Sequence, residues 1–207
     1  MSNMKVNNKN IASYLESDSL DSIRNITLNM VLWKRKPKPV TLKFLKNLSE
    51  KHKLNLVTEN TDLNSLLEKI PAPKDKQLFI GYENFLADIK YLSDSYKSAT
   101  GFEKFYIRLQ SVKEIQCPKF HRDFTNFRLV CTYFGAGMEW IPDELADDLD
   151  SKEESELKSI TRKLNPFDVS IFKGVKKETA QVGALIHRSP HVHNPINRIF
   201  LRIDTMK

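Results

Sequence analysis

Residues 117–133, CPKFHRDFTNFRLVCTY, set a histidine and an aspartate two positions apart just ahead of a run that alternates in character. Phe127, Leu129, Cys131 and Tyr133 fall on one face and Arg128, Val130 and Thr132 on the other, which is the period of a β-strand. Side chains at i and i+2 of an extended segment point the same way, so His121 and Asp123 can offer an imidazole nitrogen and a carboxylate oxygen to one ion. Two such donors hold a transition metal poorly. The reading of the whole chain therefore turns on what lies around this stretch.

The same alternation recurs on both sides of it. Phe105, Ile107 and Leu109 alternate with Tyr106, Arg108 and Gln110, and further short strands are expected at residues 168–174, from Val182 to His187 and at residues 198–204. All six glycines fall at or after Gly81, which separates a helical first half from a turn-rich second half. In that first half Ile26 to Trp33 reads as a strand stopped by Pro37 and Pro39. Leu42, Leu45 and Leu48 follow at helical spacing, a short helix is expected from Leu63 to Ile70, and Phe79, Tyr82, Phe85, Leu86, Ile89 and Tyr96 mark a longer one, with Gly101 as its stop. The pattern predicts an α+β fold, a β-sandwich or barrel in the C-terminal half covered by N-terminal helices and a strand.

One domain is expected over residues 1–207: a loose tail at 1–10, a mainly helical cover with one strand at 11–103, and the sandwich at 104–207. An acidic insertion, 142–165, interrupts the sandwich. Residues 143–156 hold eight acids against Lys152, with a thin apolar stripe of Leu145, Leu149, Leu157 and Ile160. That composition predicts a solvated helix on the outside of the sandwich, with a lid over a pocket as the alternative. Its spacing does not match an EF-hand.

Composition removes several function classes. Apolar residues make up 40% and charged residues 29%, ordinary for a globular chain. No run approaches the roughly 20 apolar residues of a membrane span, and MSNMKVNNKN lacks the apolar centre of a secretory signal, so the cytoplasm is the expected location. Cys117 and Cys131 are too few for a disulfide framework. The net charge of +7 is diffuse, 16 basic against 11 acidic residues before position 101 and 17 against 15 after it, so a nucleic-acid partner is not expected. Gly135-Ala136-Gly137 opens no phosphate loop, and Ser189 lacks a nucleophile elbow.

The third metal donor is expected at His187, which closes the apolar run Val182 to Ile186 at a strand end. Two histidines and one carboxylate make the facial triad of non-haem Fe(II) oxygenases, with coordination positions left open. A structural zinc site would close the fourth position with a thiolate, for which Cys117 is the candidate. His191 and His193 form with His187 a histidine-rich loop and are expected in the surroundings of the site or as alternative ligands. Beyond the turn chemistry of RSPHVHNPIN, Arg198, Phe200 and Arg202 share one strand face. An arginine facing a sandwich interior requires an anion, and its fork matches a carboxylate. Tyr133 is a candidate contact for the same ligand, with a core role as the alternative.

His121-x-Asp123, the strand at 168–174, Leu185-Ile186-His187 and Arg198 resemble, in that order, the parts of the double-stranded β-helix (jelly-roll, cupin-like) of the Fe(II)/2-oxoglutarate-dependent dioxygenases. Over most of its length the chain also resembles a bacterial family of unknown function, DUF1826. The matching residues there are Ile107-Arg108-Leu109, Cys117 to Asp123, Arg128 to Tyr133, Gly135 to Trp140 and His187-Arg188-Ser189-Pro190. That family brings no assigned reaction. The dioxygenase resemblance implies Fe(II) on His121, Asp123 and His187, and 2-oxoglutarate with its distal carboxylate on Arg198 or Arg202. It implies oxidation of an unidentified small-molecule or protein substrate. Phe200 departs from it, standing where those enzymes often carry a small hydroxyl residue. The alternative is a non-catalytic metal-binding or metal-homeostasis protein that holds zinc or iron on the same residues.

Overall fold

End signals and apolar spacing place the helices where the sequence predicts them. In the computed structural model, which describes residues 5–8, 10–15, 17–176, 183–191 and 197–206, α1 (Pro39–Lys51) starts on the proline that ends the preceding extended segment and buries Phe44, Leu45 and Leu48. The short α2 (Leu63–Glu68) follows. The long α3 (Lys76–Thr100) opens where the Asp75 carboxylate accepts from the Leu78 N–H. It closes on Gly101 at φ 76, the left-handed geometry that favours glycine. Phe85, Ile89, Leu92 and Tyr96 line its buried face. The acidic insertion contributes the seven-residue α4 (Glu154–Ile160), with no buried residue, two short 3-10 turns and, at its end, the two-residue strand Arg162–Lys163.

Among the described residues there are eleven strands: β1 (Lys5–Asn8), β2 (Ile11–Tyr14), β3 (Met30–Trp33), β4 (Asn55–Glu59), β5 (Phe105–Val112), β6 (Phe127–Phe134), β7 (Glu139–Ile141), β8 (Arg162–Lys163), β9 (Val169–Lys173), β10 (Ile186–Arg188) and β11 (Arg198–Thr205). Eight form one sheet in the order β1-β2-β3-β9-β6-β11-β5-β4, antiparallel except for the parallel pair β2–β3. Three form a small sheet, β10-β7-β8, and an antiparallel bridge from His121 to His187 extends it beyond β10. From β5 onward the chain passes from the large sheet to that bridge, to β6 in the large sheet, to β7 and β8 in the small one, then to β9, β10 and β11 in alternation. Shuttling of this kind between two facing sheets is a double-stranded β-helix.

The large sheet has two different faces. Phe105, Ile107, Leu129, Cys131, Tyr133, Ile171, Leu201 and Ile203 pack with α1, α2 and α3 in the main core. On the other face Phe172 joins Met30, Leu32, Met138, Trp140, Leu164 and Leu185 in a smaller core between the sheets. The arginine-bearing part of that face stays open, and it carries the site.

Several boundaries differ from the sequence reading. Lys5–Asn8, expected in a loose tail, pair with β2. The strand expected from Ile26 starts only at Met30, since Asn25 carbonyl and side-chain groups tie residues 27 and 28 into a turn and Ile26 is exposed. β2, β4, β7 and β8 add four strands that the sequence pattern does not predict. The strand expected from Val182 is confined to Ile186–Arg188, and Val182 lies outside the described residues. No helix among the described residues is long and apolar enough to cross a membrane.

Candidate metal centre

Two backbone hydrogen bonds bring the distant histidines together: His121 N–H donates to the His187 carbonyl and His187 N–H to the His121 carbonyl, each at 3.0 Å. Their rings then lie 4.6 Å apart, with His187 also against Phe172 at 4.7 Å. Asp123 follows two residues after His121 and faces the same way. Its Oδ2 is 2.9 Å from His187 Nε2 and its Oδ1 3.5 Å from His121 Nε2. One donor atom from each of the three lies within 4.8 Å of the others, and they are the only such His/Cys/Asp/Glu group of three among the described residues.

The loop bearing Asp123 is clamped by the end of β9. Val175 N–H donates to the Asp123 carbonyl at 2.8 Å, and a Cβ on Gly174 would sit 2.6 Å from that oxygen and 2.3 Å from the Thr125 carbonyl. Only glycine permits so close an approach. His187 is buried at 6% side-chain exposure, while His121, at 35%, stands at the rim.

Ring orientation suits metal binding. His121 Nδ1 lies 3.0 Å from the Lys119 carbonyl and His187 Nδ1 3.2 Å from the Leu185 carbonyl. A carbonyl accepts only, so each Nδ1 donates to it and each Nε2 faces Asp123, where a bound cation would take the Nε2 lone pairs in place of protons shared with the carboxylate. Burial alone would raise the Asp123 carboxyl, yet its contacts with His121 and His187 and the charges of His187 and Arg128 hold it far below the usual carboxylate range. The Asp123 contact raises the His121 imidazole against the opposing effect of burial. A small space bordered by two imidazole Nε2 atoms and an ionised carboxylate fits a divalent transition-metal ion, which would replace the protons they share.

An open cleft of about 530 Å³ adjoins the cluster, bordered by His121, His187, Thr132, Arg198, Phe200 and Arg202 among others. Arg198 lies on the Phe200 ring at 4.5 Å and has no carboxylate partner among the described residues; its Nε is buried without a hydrogen bond. Burial lowers this guanidinium to about 10, with Cys117 opposing. Arg202 Nε approaches Asp204 Oδ2 at 2.7 Å, but the N–H is not aimed at that oxygen and makes no hydrogen bond. Both arginines thus border the cleft that the histidines face.

Other sequence candidates fall elsewhere. Tyr133, a candidate ligand contact, points to the helix side of β6, where it packs on Phe85 and Phe167 and donates to Asp88 Oδ2 at 2.7 Å. Cys117 borders the cleft and is exposed, but its sulfur is not among the gathered donor atoms. His191 is exposed and outside the cluster, and His193 lies outside the described residues. Arg128, which the sequence pattern marks only as a strand residue, donates to both Asp123 and Asp204 and so fixes the carboxylate that faces the histidines. Its position five residues after Asp123 on the cleft face of β6 is the signal that sequence offers for it. Glu139 and Arg188, a buried pair at 2.8 Å on β7 and β10, brace the strand that carries His187.

The family model described as "Protein of unknown function (DUF1826)" matches residues 16–204. No curated protein matches the chain. Among solved structures, the dioxygenase for auxin oxidation 1 from Arabidopsis thaliana, as its 2-oxoglutarate complex, is 12% identical over 95% of this chain and 92% of its own, with a TM-score of 0.49. A full-length Neurospora crassa protein in complex with alpha-KG is 13% identical over 99% and 88%, at 0.47. A Pseudomonas putida prolyl-4-hydroxylase is 10% identical over 91% and 96%, at 0.45. At such scores the fold assignment rests on the strand order itself.

Proposed function

The chain belongs to the DUF1826 family, and we propose that it is a non-haem Fe(II)- and 2-oxoglutarate-dependent oxygenase. One observation carries this reading: a two-histidine, one-carboxylate cluster and an anion-seeking, buried arginine border the same cleft. His121, Asp123 and His187 would hold the iron, and Arg198 the distal carboxylate of 2-oxoglutarate. The bound iron, with O₂ and the keto acid, supplies the oxidising chemistry.

The chain's own residues orient and protect. The Lys119 and Leu185 carbonyls fix the imidazole tautomers, and Arg128 holds the Asp123 carboxylate ionised and in place. Arg198 can bind a carboxylate through both arms of its fork while Phe200 lies along its plane. Met138, Val130 and Phe200 line the cleft with apolar surface that excludes water. Among the described residues no cysteine sulfur joins the three gathered donor atoms, which favours an open site over a closed structural zinc centre.

Anaerobically purified protein reconstituted with Fe(II) and then exposed to O₂ should convert 2-oxoglutarate to succinate, with turnover lost in His187→Ala and Arg198→Ala. Tight zinc with no 2-oxoglutarate turnover would instead establish a non-catalytic metal-binding protein.

A further inference from the structure

A second open cleft, about 980 Å³, lies beside the first and shares Arg128 and Arg202 with it. It sits on the part of the large sheet that the small sheet leaves uncovered, over β4, β5 and β11. Its chemistry is unusual for a surface. Arg108 of β5 stands directly opposite Arg202 of β11 in the ladder, so two guanidiniums share one face at cross-strand distance. Each charge disfavours the other, and Arg108 is among the groups that lower Arg202. Arg128 is beside them.

Counting carboxylates shows an excess of positive charge. Arg128 is matched by Asp123 and Asp204, and Arg202 has only an unaligned approach to that same Asp204. Arg108 has no carboxylate partner among the described residues, and Arg202 Nε is buried without a hydrogen bond. Three guanidiniums thus meet two carboxylates, one of which also serves the histidine cluster. A like-charged pair held in register is destabilising unless an anion bridges it.

Three large apolar side chains frame the same cleft in contact with water: Phe124 at 72% exposure, Val57 at 50% and Tyr106 at 41%. Phe124 directly follows the metal-cluster residue Asp123. None of the three contributes to either core. A cationic pair bordered by exposed rings matches a ligand with an anionic end and a flat apolar body.

We propose that this cleft, through Arg108 and Arg202, binds a small organic acid with an apolar, planar portion, and that this is the class of substrate presented to the metal centre. Its role as substrate rests on the oxygenase reading; binding of the acid does not. The anion site is distinct from Arg198, which lies four residues from Arg202 along β11 and does not border this cleft.

Benzoate is the probe, with benzamide as its uncharged isostere, titrated by saturation-transfer NMR against the full chain with and without saturating 2-oxoglutarate. Benzoate should bind and benzamide should not. Loss of a charged hydrogen-bonding partner is worth about tenfold or more, so Arg108→Gln should weaken benzoate by at least that factor, while Arg108→Lys keeps part of it. Arg198→Gln should leave benzoate binding intact. Benzoate that binds equally well to Arg108→Gln, or that 2-oxoglutarate displaces competitively, overturns the proposal, as does equal binding of benzamide. If 2-oxoglutarate binds nowhere and benzoate still depends on Arg108, the oxygenase reading falls and this site stands.

Discussion

Replacing Arg198 with methionine should make the protein more stable and less functional at once. Burial lowers the Arg198 guanidinium from 12.5 to about 10, and at 1.36 kcal/mol per unit this corresponds to a penalty of about 3 kcal/mol for holding the charge in the cleft. The sign is straightforward. The folded-state value is depressed, so below it the group is charged both folded and unfolded, and at neutral pH the whole penalty opposes folding. Residual contact with water reduces the figure, and methionine forfeits the stacking on Phe200, worth ~0.5–1 kcal/mol. A net gain of about 1–2 kcal/mol remains, or roughly 2–8 °C in Tm for a chain of this size. With 2-oxoglutarate at one hundred times its Kd and Mn(II) in place of iron, the wild type should gain about 2.7 kcal/mol and the variant nothing. The two melting curves therefore exchange order on adding ligand, which calorimetry reads directly. A ligand-free Arg198→Met that melts below wild type, or equal stabilisation of both by 2-oxoglutarate, would refute the reasoning.

Other substitutions separate the metal cluster from the scaffold around it. Gly174→Ala should weaken Mn(II) binding about tenfold or more, measured by electron paramagnetic resonance, because its Cβ would press on the carbonyls of Asp123 and Thr125. Gly101→Ala, with nothing within 4 Å of its Cβ, should cost only the strain of φ 76, about 1–2 kcal/mol, and leave metal affinity unchanged. Asp88→Leu strips Arg35 of its carboxylate and Tyr133 of its acceptor, on the opposite side of the sheet from the metal cluster. It should lower stability by about 3 kcal/mol in chemical denaturation without altering Mn(II) affinity. Burial raises the Asp143 carboxyl against the hydrogen bonds from Asn10 and Asn29. Its contribution to stability is therefore complete below about pH 4 and is lost as pH rises through the elevated folded value. Asp143→Asn should flatten that decline, and denaturation midpoints across pH 4–7 that fall in parallel for both proteins would count against it.

The metal residues are legible in the sequence because they are scarce types at strand ends. The turn chemistry after His187 suggests that the next strand returns antiparallel beside it, whereas β11 lies in the large sheet between β6 and β5 and β10 pairs with β7 in the small one. The facing residues are not legible. Period two says that Cys131 and Tyr133 share a face and that Arg198 and Arg202 share one, but only register says which faces coincide. The ladder pairs Phe200 with Thr132 and Arg202 with Val130, so the arginines look across at the even-numbered face of β6 and Tyr133 turns to the helices. β4 leaves little signal because it is an edge strand with no fully buried residue, held by its pairing with β5 and by Leu56, which is partly buried against the main core. β7 and β8 are three and two residues long, too short for any period to show. Their place in the small sheet comes from partners distant in sequence.

The division of labour between the two cores explains how a strained cleft is tolerated. Among the described residues, thirty-one buried side chains make up the cluster between the large sheet and the helices, against eight between the two sheets. Apolar burial scales with area, so most of the stabilisation lies on the helix side, away from the metal cluster. The other face of the large sheet is then free to hold Arg198 without a carboxylate and Arg108 opposite Arg202, arrangements that each oppose folding. Both demands meet in β6 and β11, whose odd-numbered residues belong to the main core and whose even-numbered residues form the cleft. The same two strands that are anchored in the main core thus position the arginines rigidly. Unsatisfied charge on a rigid support is a preorganised receptor, because the cost of holding the cations in place is met in folding rather than at binding.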